Sequence, residues 1–289
     1  MKNGLDTRPS PIVGQWYAAD ARGLADQVDG YVNAAEIPEI RDEVVAVIAP
    51  HAGHMYSGSV AGYAFAALKG LSPEIVVVIS PMHQPYYGAL FTTAHDAYQT
   101  PLGIIPVHPD ALDALDTGLK AELGFGLTRI AEDSEHSLEI ELPFLQRVLD
   151  CDFQLLPVMV RDQSARTALG LGKALADLFQ EGGILFKSPS IMVASTDLSH
   201  FYAQSEAERL DNKMLAAIES FDPELVIRTD EKGEGFACGR GAVAAVLCAS
   251  KILGADRVRR LHYATSGDVS GDYSSVVGYG AAVVTRLTN

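Results

Sequence analysis

Three stretches of the chain run apolar without alternation and then end on a polar side chain. They are Val44-Val45-Ala46-Val47-Ile48-Ala49-Pro50-His51, Ile75-Val76-Val77-Val78-Ile79-Ser80-Pro81-Met82-His83, and Ile191-Met192-Val193-Ala194-Ser195-Thr196-Asp197-Leu198-Ser199-His200. β-Branched and small apolar residues without a period of two suit strands buried on both faces, as in a parallel sheet. Parallel strands present their carboxyl ends on one edge, where open α/β sheets bind ligands. The pattern therefore predicts that His51, His83, Asp197 and His200 meet at one sheet edge.

The remaining periodicities fill in the elements around these strands. Ala18 to Ala34, Val60 to Leu68, Ala111 to Leu119, Ala165 to Phe179, Ser205 to Phe221, a short helix from Asp222-Pro223, and the apolar Gly239 to Leu253 read as helices. Leu138, Leu142, Leu145 and Leu149 form a stripe opened by Asp133 or Ser134, but Pro143 sits inside it, so that helix either kinks or begins later. Ala89 to Thr93, Gly103 to Val107, Phe153 to Val160, Val258 to Ala264 and Val276 to Leu287 read as strands, with Ala94 to Pro101 as a polar loop. Strands and helices alternate throughout, and no linker, repeat or low-complexity tract interrupts them. The expectation is one α/β domain over residues 1–289, with a central, mostly parallel sheet flanked by helices.

Composition narrows the partners. With 48% hydrophobic and 20% charged residues the chain is globular, and a net charge of -15 disfavours a nucleic-acid backbone or an anionic membrane. The only basic cluster is Arg257, Arg259 and Arg260. The amino terminus lacks the apolar stretch of a signal peptide, and no segment offers about 18 uninterrupted apolar residues for a membrane span. A cytoplasmic protein with its three cysteines reduced is expected.

The chemistry follows from the strand ends. His51 and His83 occupy equivalent places on two strands, which favours a shared site over two isolated capping histidines. Asp197 and His200 are three apart, so a helical turn would put them on one face; the alternative is an N-cap Asp with a surface His. Cys238, at the start of an apolar helix and near Arg240, is expected to have a lowered pKa and to offer a thiolate, whereas Cys248 reads as packing. His136 and Glu139 either face the same pocket or cap their helix. His54, Tyr56, Glu139, Arg240, Asp272 and Tyr273 are candidates for pocket lining, while His95, His108 and His262 have no partner pattern. Two histidines and one thiolate leave an open position and suit iron, copper or zinc, not the oxygen-seeking Mg or Ca. No Walker loop, dinucleotide fingerprint, nucleophile elbow, His-Glu-x-x-His helix or Cys-x-x-Cys pair is present.

Ala49-Pro50-His51-Ala52-Gly53, Pro81-x-His83, Glu135-His136-Ser137-x-Glu139, Asp197-x-x-His200, Cys238-Gly239-Arg240 and Gly271-Asp272-Tyr273, with Val277-Gly278-Tyr279 behind them, stand in the order of the MEMO family. The opening Arg8-Pro9 and Gly14-x-Trp16-Tyr17 is similar too. The resemblance implies a fold like that of LigB-type class III extradiol dioxygenases. It implies a metal on His51, His83 and Cys238, iron first with copper or zinc as alternatives, and Asp197, His200 and His136 as acid/base groups beside it. Dioxygenases of that type use two histidines and a glutamate, so Cys238 takes the carboxylate's place. His54 stands where an aromatic residue is common and would add a polar group near the site mouth. The resemblance further implies metal-dependent redox chemistry, a small molecule or peptide in the pocket, and AMMECR-like and radical SAM protein partners. A non-catalytic binding scaffold and a zinc hydrolase are the competing readings.

Overall fold

Among the described residues, the apolar runs become the middle of a nine-stranded sheet. The structure is a computed structural model and describes residues 4–180, 182–185 and 188–288. In chain order the first elements are β1 (Thr7–Arg8), α1 (Ala21–Ala34), β2 (Glu43–Ala49), α2 (His54–Ala66), β3 (Ile75–Pro81), β4 (Leu90–Thr93), β5 (Ala97–Thr100) and β6 (Gly103–Pro106). There follow α3 (Pro109–Leu123), β7 (Leu127–Ile130), α4 (Leu142–Val148), β8 (Gln154–Val160), α5 (Ala165–Phe179), β9 (Ser190–Ser195) and β10 (His200–Tyr202). The chain closes with α6 (Gln204–Glu219), α7 (Pro223–Glu231), α8 (Arg240–Ile252), β11 (Arg257–Thr265), α9 (Gly267–Ser270) and β12 (Val276–Arg286).

The sheet order is β10-β12-β2-β9-β3-β8-β4-β7, with β11 also paired to β12, and β1, β5 and β6 form a separate three-stranded sheet. β2, β9, β3 and β8 are parallel, while β12 and β4 run antiparallel to the flanks of this block. The sheet is therefore mixed, with a parallel centre flanked by helices, and all three polar-ended strands lie side by side in it. Those strands have no exposed face: every residue of β3 is buried, as are the last five of β2. α8 lies across β2, β9, β3 and β8, and α5 packs on α8.

Three local expectations are corrected. Ala97–Thr100, read as part of a polar loop, is β5, because Ala97, Tyr98 and Thr100 are buried against β6 and β1. Of the two alternatives for the Leu138 stripe, the later start holds and the opening at Asp133 does not: a single 3-10 turn spans Glu139–Glu141, and α4 begins at Leu142 with Pro143 in its first turn, where a missing N–H costs nothing. The loop after β9 does not turn helical at His200. It stays extended and pairs with β12, so Asp197 and His200 do not share a helix face.

α5 and α8 approach closely because of Gly172, where a Cβ would stand 2.6 Å from the Cys248 Cβ and 2.7 Å from the Ala245 carbonyl. Gly172→Ala is expected to destabilise the fold by about 1–3 kcal/mol, since overpacking here meets backbone. Urea unfolding of the variant checks this.

Candidate metal centre

Each site residue arrives by a different connection. His51 follows β2 directly, and its backbone N–H donates to Asp197 Oδ1 at 2.8 Å, which ties the β2 and β9 ends together. Its ring Nδ1 lies 2.8 Å from Ser195 Oγ, the last residue of β9, and leaves Nε2 facing the site. His83 follows β3, and both its N–H (2.6 Å) and its Nδ1 (3.0 Å) reach Glu135. His136 brings its own Nδ1 to 3.3 Å from the same Glu135 oxygen and stacks on the His83 ring, with centroids 5.0 Å apart.

These three histidines could hold a metal ion: one nitrogen from each lies within 4.8 Å of the others. The electrostatics fit the donor role, because a ligand imidazole must be neutral. Burial, and then the neighbouring His136 and His83, push the His51 pKa well below its usual value. Burial likewise pushes His136 down to about 4. Burial alone would raise Glu135, yet its hydrogen bond and charge contact with His83 and the Ser137 N–H outweigh that and hold it well below the carboxylate range. An ionised carboxylate behind two imidazoles orients them and raises their basicity.

Cys238 sits beside this group. Its Sγ is 3.1 Å from His51 Nε2 and accepts from the Asp197 N–H at 3.2 Å. It is brought there by Gly239, where a Cβ would stand 2.3 Å from the Ser195 carbonyl, so only glycine lets α8 start this close to β9. The thiol is not lowered as the sequence suggested. Burial and then the nearby Asp197 raise it, and Arg240, expected to assist, pairs with Asp230 at 3.1 Å.

The pocket in front holds about 500 Å³ and is lined by the polar His51, His83, His136, Asp197 and His200 together with Trp16, Met55, Tyr56, Val277 and Tyr279. Burial raises Asp197 to about 7, against the pull of the His51 and Ala52 N–H groups. His200 donates Nδ1–H to the Leu198 carbonyl at 2.9 Å, and burial lowers its pKa.

Of the expected lining residues, Tyr56 does line the pocket. Four others are drawn elsewhere by stronger partners. His54 is 1% exposed and donates Nε2–H to the Ile140 carbonyl, packed against Phe144, so it adds nothing polar at the mouth. Glu139 turns away to Arg8 (2.6 Å) and Tyr17 (2.7 Å). Asp272 caps the exposed Ser274, and Arg240 borders a separate cleft with Asp230, Phe236 and His200. Tyr273 is half exposed and is not among the pocket's lining residues.

Sequence reasoning missed the supports. Glu135 was signalled only by its place beside His136, and Ser195 by ending a buried strand. Trp16, whose ring centroid lies 4.1 Å from that of His136, was signalled only by the Gly14-x-Trp16-Tyr17 opening, and Glu141 gave no signal of its own. The 135–141 segment does most of this work: Glu135 backs two histidines, and Ser137 ties β3 by donating to the Pro81 carbonyl at 2.8 Å.

Comparison with known proteins agrees with the resemblance. A family model described as Memo-like protein matches residues 8–283. A MEMO1 family protein of Methanosarcina mazei is 34% identical over 97% of the chain and 100% of its own length. Another from Methanopyrus kandleri is 35% identical over 96% of the chain and 99% of its own length. Among solved structures, an uncharacterized protein of Escherichia coli K12 superposes with a TM-score of 0.53 at 15% identity, covering 83% of this chain and all of that one. Among the described residues no helix is long and apolar enough to cross a membrane.

Proposed function

The chain belongs to the Memo-like family, and from that premise we propose that it binds one divalent transition metal and carries out metal-dependent redox chemistry on a small molecule. The observation that carries the metal reading is the pair of imidazoles, His51 and His83, whose Nδ1 atoms are occupied from behind, leaving the Nε2 atoms for the site. We take Cys238 as the third donor, because its sulfur already touches His51 Nε2 at 3.1 Å and a thiolate suits iron, copper or zinc. A second reading puts His136 in that role, favoured by its nitrogen lying within 4.8 Å of the other two.

A bound metal would supply Lewis acidity and, for iron or copper, a redox couple. The chain's own residues do the rest. Trp16, Met55, Tyr56, Val277 and Tyr279 receive an apolar body and exclude water from it. Asp197, raised by burial to about 7, holds or releases a proton at its carboxyl oxygen. His200 presents a neutral Nε2 acceptor, since Nδ1 is committed to Leu198. Partner proteins of the AMMECR-like and radical SAM kinds, and a cytoplasmic setting, belong to the same proposal.

Cobalt(II) loading tests the ligand set. A thiolate-to-metal charge-transfer band is expected, lost in Cys238→Ser and kept in His136→Ala. Bound cobalt without such a band transfers the third position to His136.

A further inference from the structure

Behind His51 lies a group with more acceptors than hydrogens, unless one carboxyl is protonated. Ser195 Oγ stands 2.7 Å from the Ser137 carbonyl oxygen, 2.7 Å from Glu141 Oε1 and 2.8 Å from His51 Nδ1. Ser195, Ser137, Glu141 and His51 are all buried, and the three protein neighbours fill every position that the Ser195 hydroxyl offers. A hydroxyl has one hydrogen and two lone pairs, and a carbonyl only accepts. At 2.7 Å the hydrogen between Ser195 and the Ser137 carbonyl must come from Ser195.

The rest is then fixed. With its hydrogen committed, Ser195 can only accept from its other two neighbours, so His51 must carry its hydrogen on Nδ1 and Glu141 must carry one on Oε1. An ionised Glu141 would set one oxygen against a lone pair and leave the other, Oε2, buried with no partner among the described residues. A buried carboxylate in that state is among the costliest arrangements a protein interior offers. Giving the Ser195 hydrogen to Glu141 instead leaves the Ser137 carbonyl against a lone pair at 2.7 Å.

We propose that Glu141 is a neutral carboxylic acid donating to Ser195, and that the two are positioning residues fixing His51 as its Nδ1–H tautomer with the Nε2 lone pair toward the pocket. The significance of that tautomer rests on the reading of His51 as a metal donor; the hydrogen count does not. Burial independently pushes the Glu141 carboxyl up, and Asp197 adds to it. The consequence is an asymmetry among the imidazoles. His83 and His136 lean on the ionised Glu135, whereas His51 leans on a neutral hydroxyl, so it is the least basic donor, and one negative charge rather than two stands behind the site.

The test uses metal-free, full-length protein labelled with 13C-glutamate. At neutral pH the infrared spectrum is expected to show a protonated carboxyl band that disappears in Glu141→Gln. In Ser195→Ala the band shifts to higher frequency as the acid loses its acceptor, which decides the matter even if Glu141→Gln does not fold. Imidazole 15N spectra should show His51 protonated on Nδ1 alone, retained in Glu141→Gln and replaced by mixed tautomers in Ser195→Ala. Absence of a glutamate acid band overturns the neutral acid, and an unchanged His51 signature in Ser195→Ala overturns the positioning role. Because no metal is present, failure of metal binding would leave this result standing.

Discussion

Glu135→Ala is expected to weaken metal binding about 100-fold, the upper end of what loss of one outer-shell partner costs, because this one carboxylate serves two histidines. It accepts Nδ1 of His83 at 3.0 Å and lies 3.3 Å from Nδ1 of His136, while its oxygens also take the N–H groups of His83, His136 and Ser137. Removing it frees both rings to rotate and leaves three N–H donors in or at the edge of the core, at about 1–3 kcal/mol for each one left unsatisfied. Glu135→Gln keeps the volume but loses the charge, so it should fall between the variant and the wild type. Competition titration against a chromophoric chelator measures both. Wild-type affinity in Glu135→Ala would mean that the two imidazoles are held by something else.

The second large effect lies outside the pocket. Arg8 is 3% exposed and binds Asp133 and Glu139, whose side chains are equally buried, as well as the Glu135 carbonyl at 2.7 Å. The desolvation of this guanidinium is offset only by its full set of partners, so Arg8→Ala strands two buried carboxylates. A loss of about 3–5 kcal/mol is expected, as for other buried pairs deprived of one member. Chemical denaturation should show a lower midpoint with an unchanged slope. The same variant should weaken metal binding, since the 133–135 loop that Arg8 holds carries Glu135. A midpoint that barely moves would show that Asp133 and Glu139 find other partners.

The sequence made the strand ends legible because burial on both faces removes alternation. Val44 to Ala49, Ile75 to Ile79 and Ile191 to Ser195 could hardly be anything but central strands, and a histidine or aspartate just past each had to sit at their carboxyl edge. The extent of α5, Ala165–Phe179, was equally plain from its period. What was hidden depends on contacts between distant segments. Nothing local in Glu139 says that it will meet Arg8, 131 residues away, rather than the pocket. Nor does the segment around Cys238 reveal that burial will outweigh its helix terminus and its arginine. His200 does join the pocket, but its extended conformation was hidden for the same reason: it comes from pairing with β12, which lies far along the chain.

The account stands on His51 and His83 as the two fixed ligands, and anaerobic purification followed by elemental analysis tests this directly. The full-length protein is expected to carry iron, copper or zinc in stoichiometric amount, and the His51→Ala plus His83→Ala variant, folded by circular dichroism, is expected to carry none. Full metal retention in that variant would contradict it.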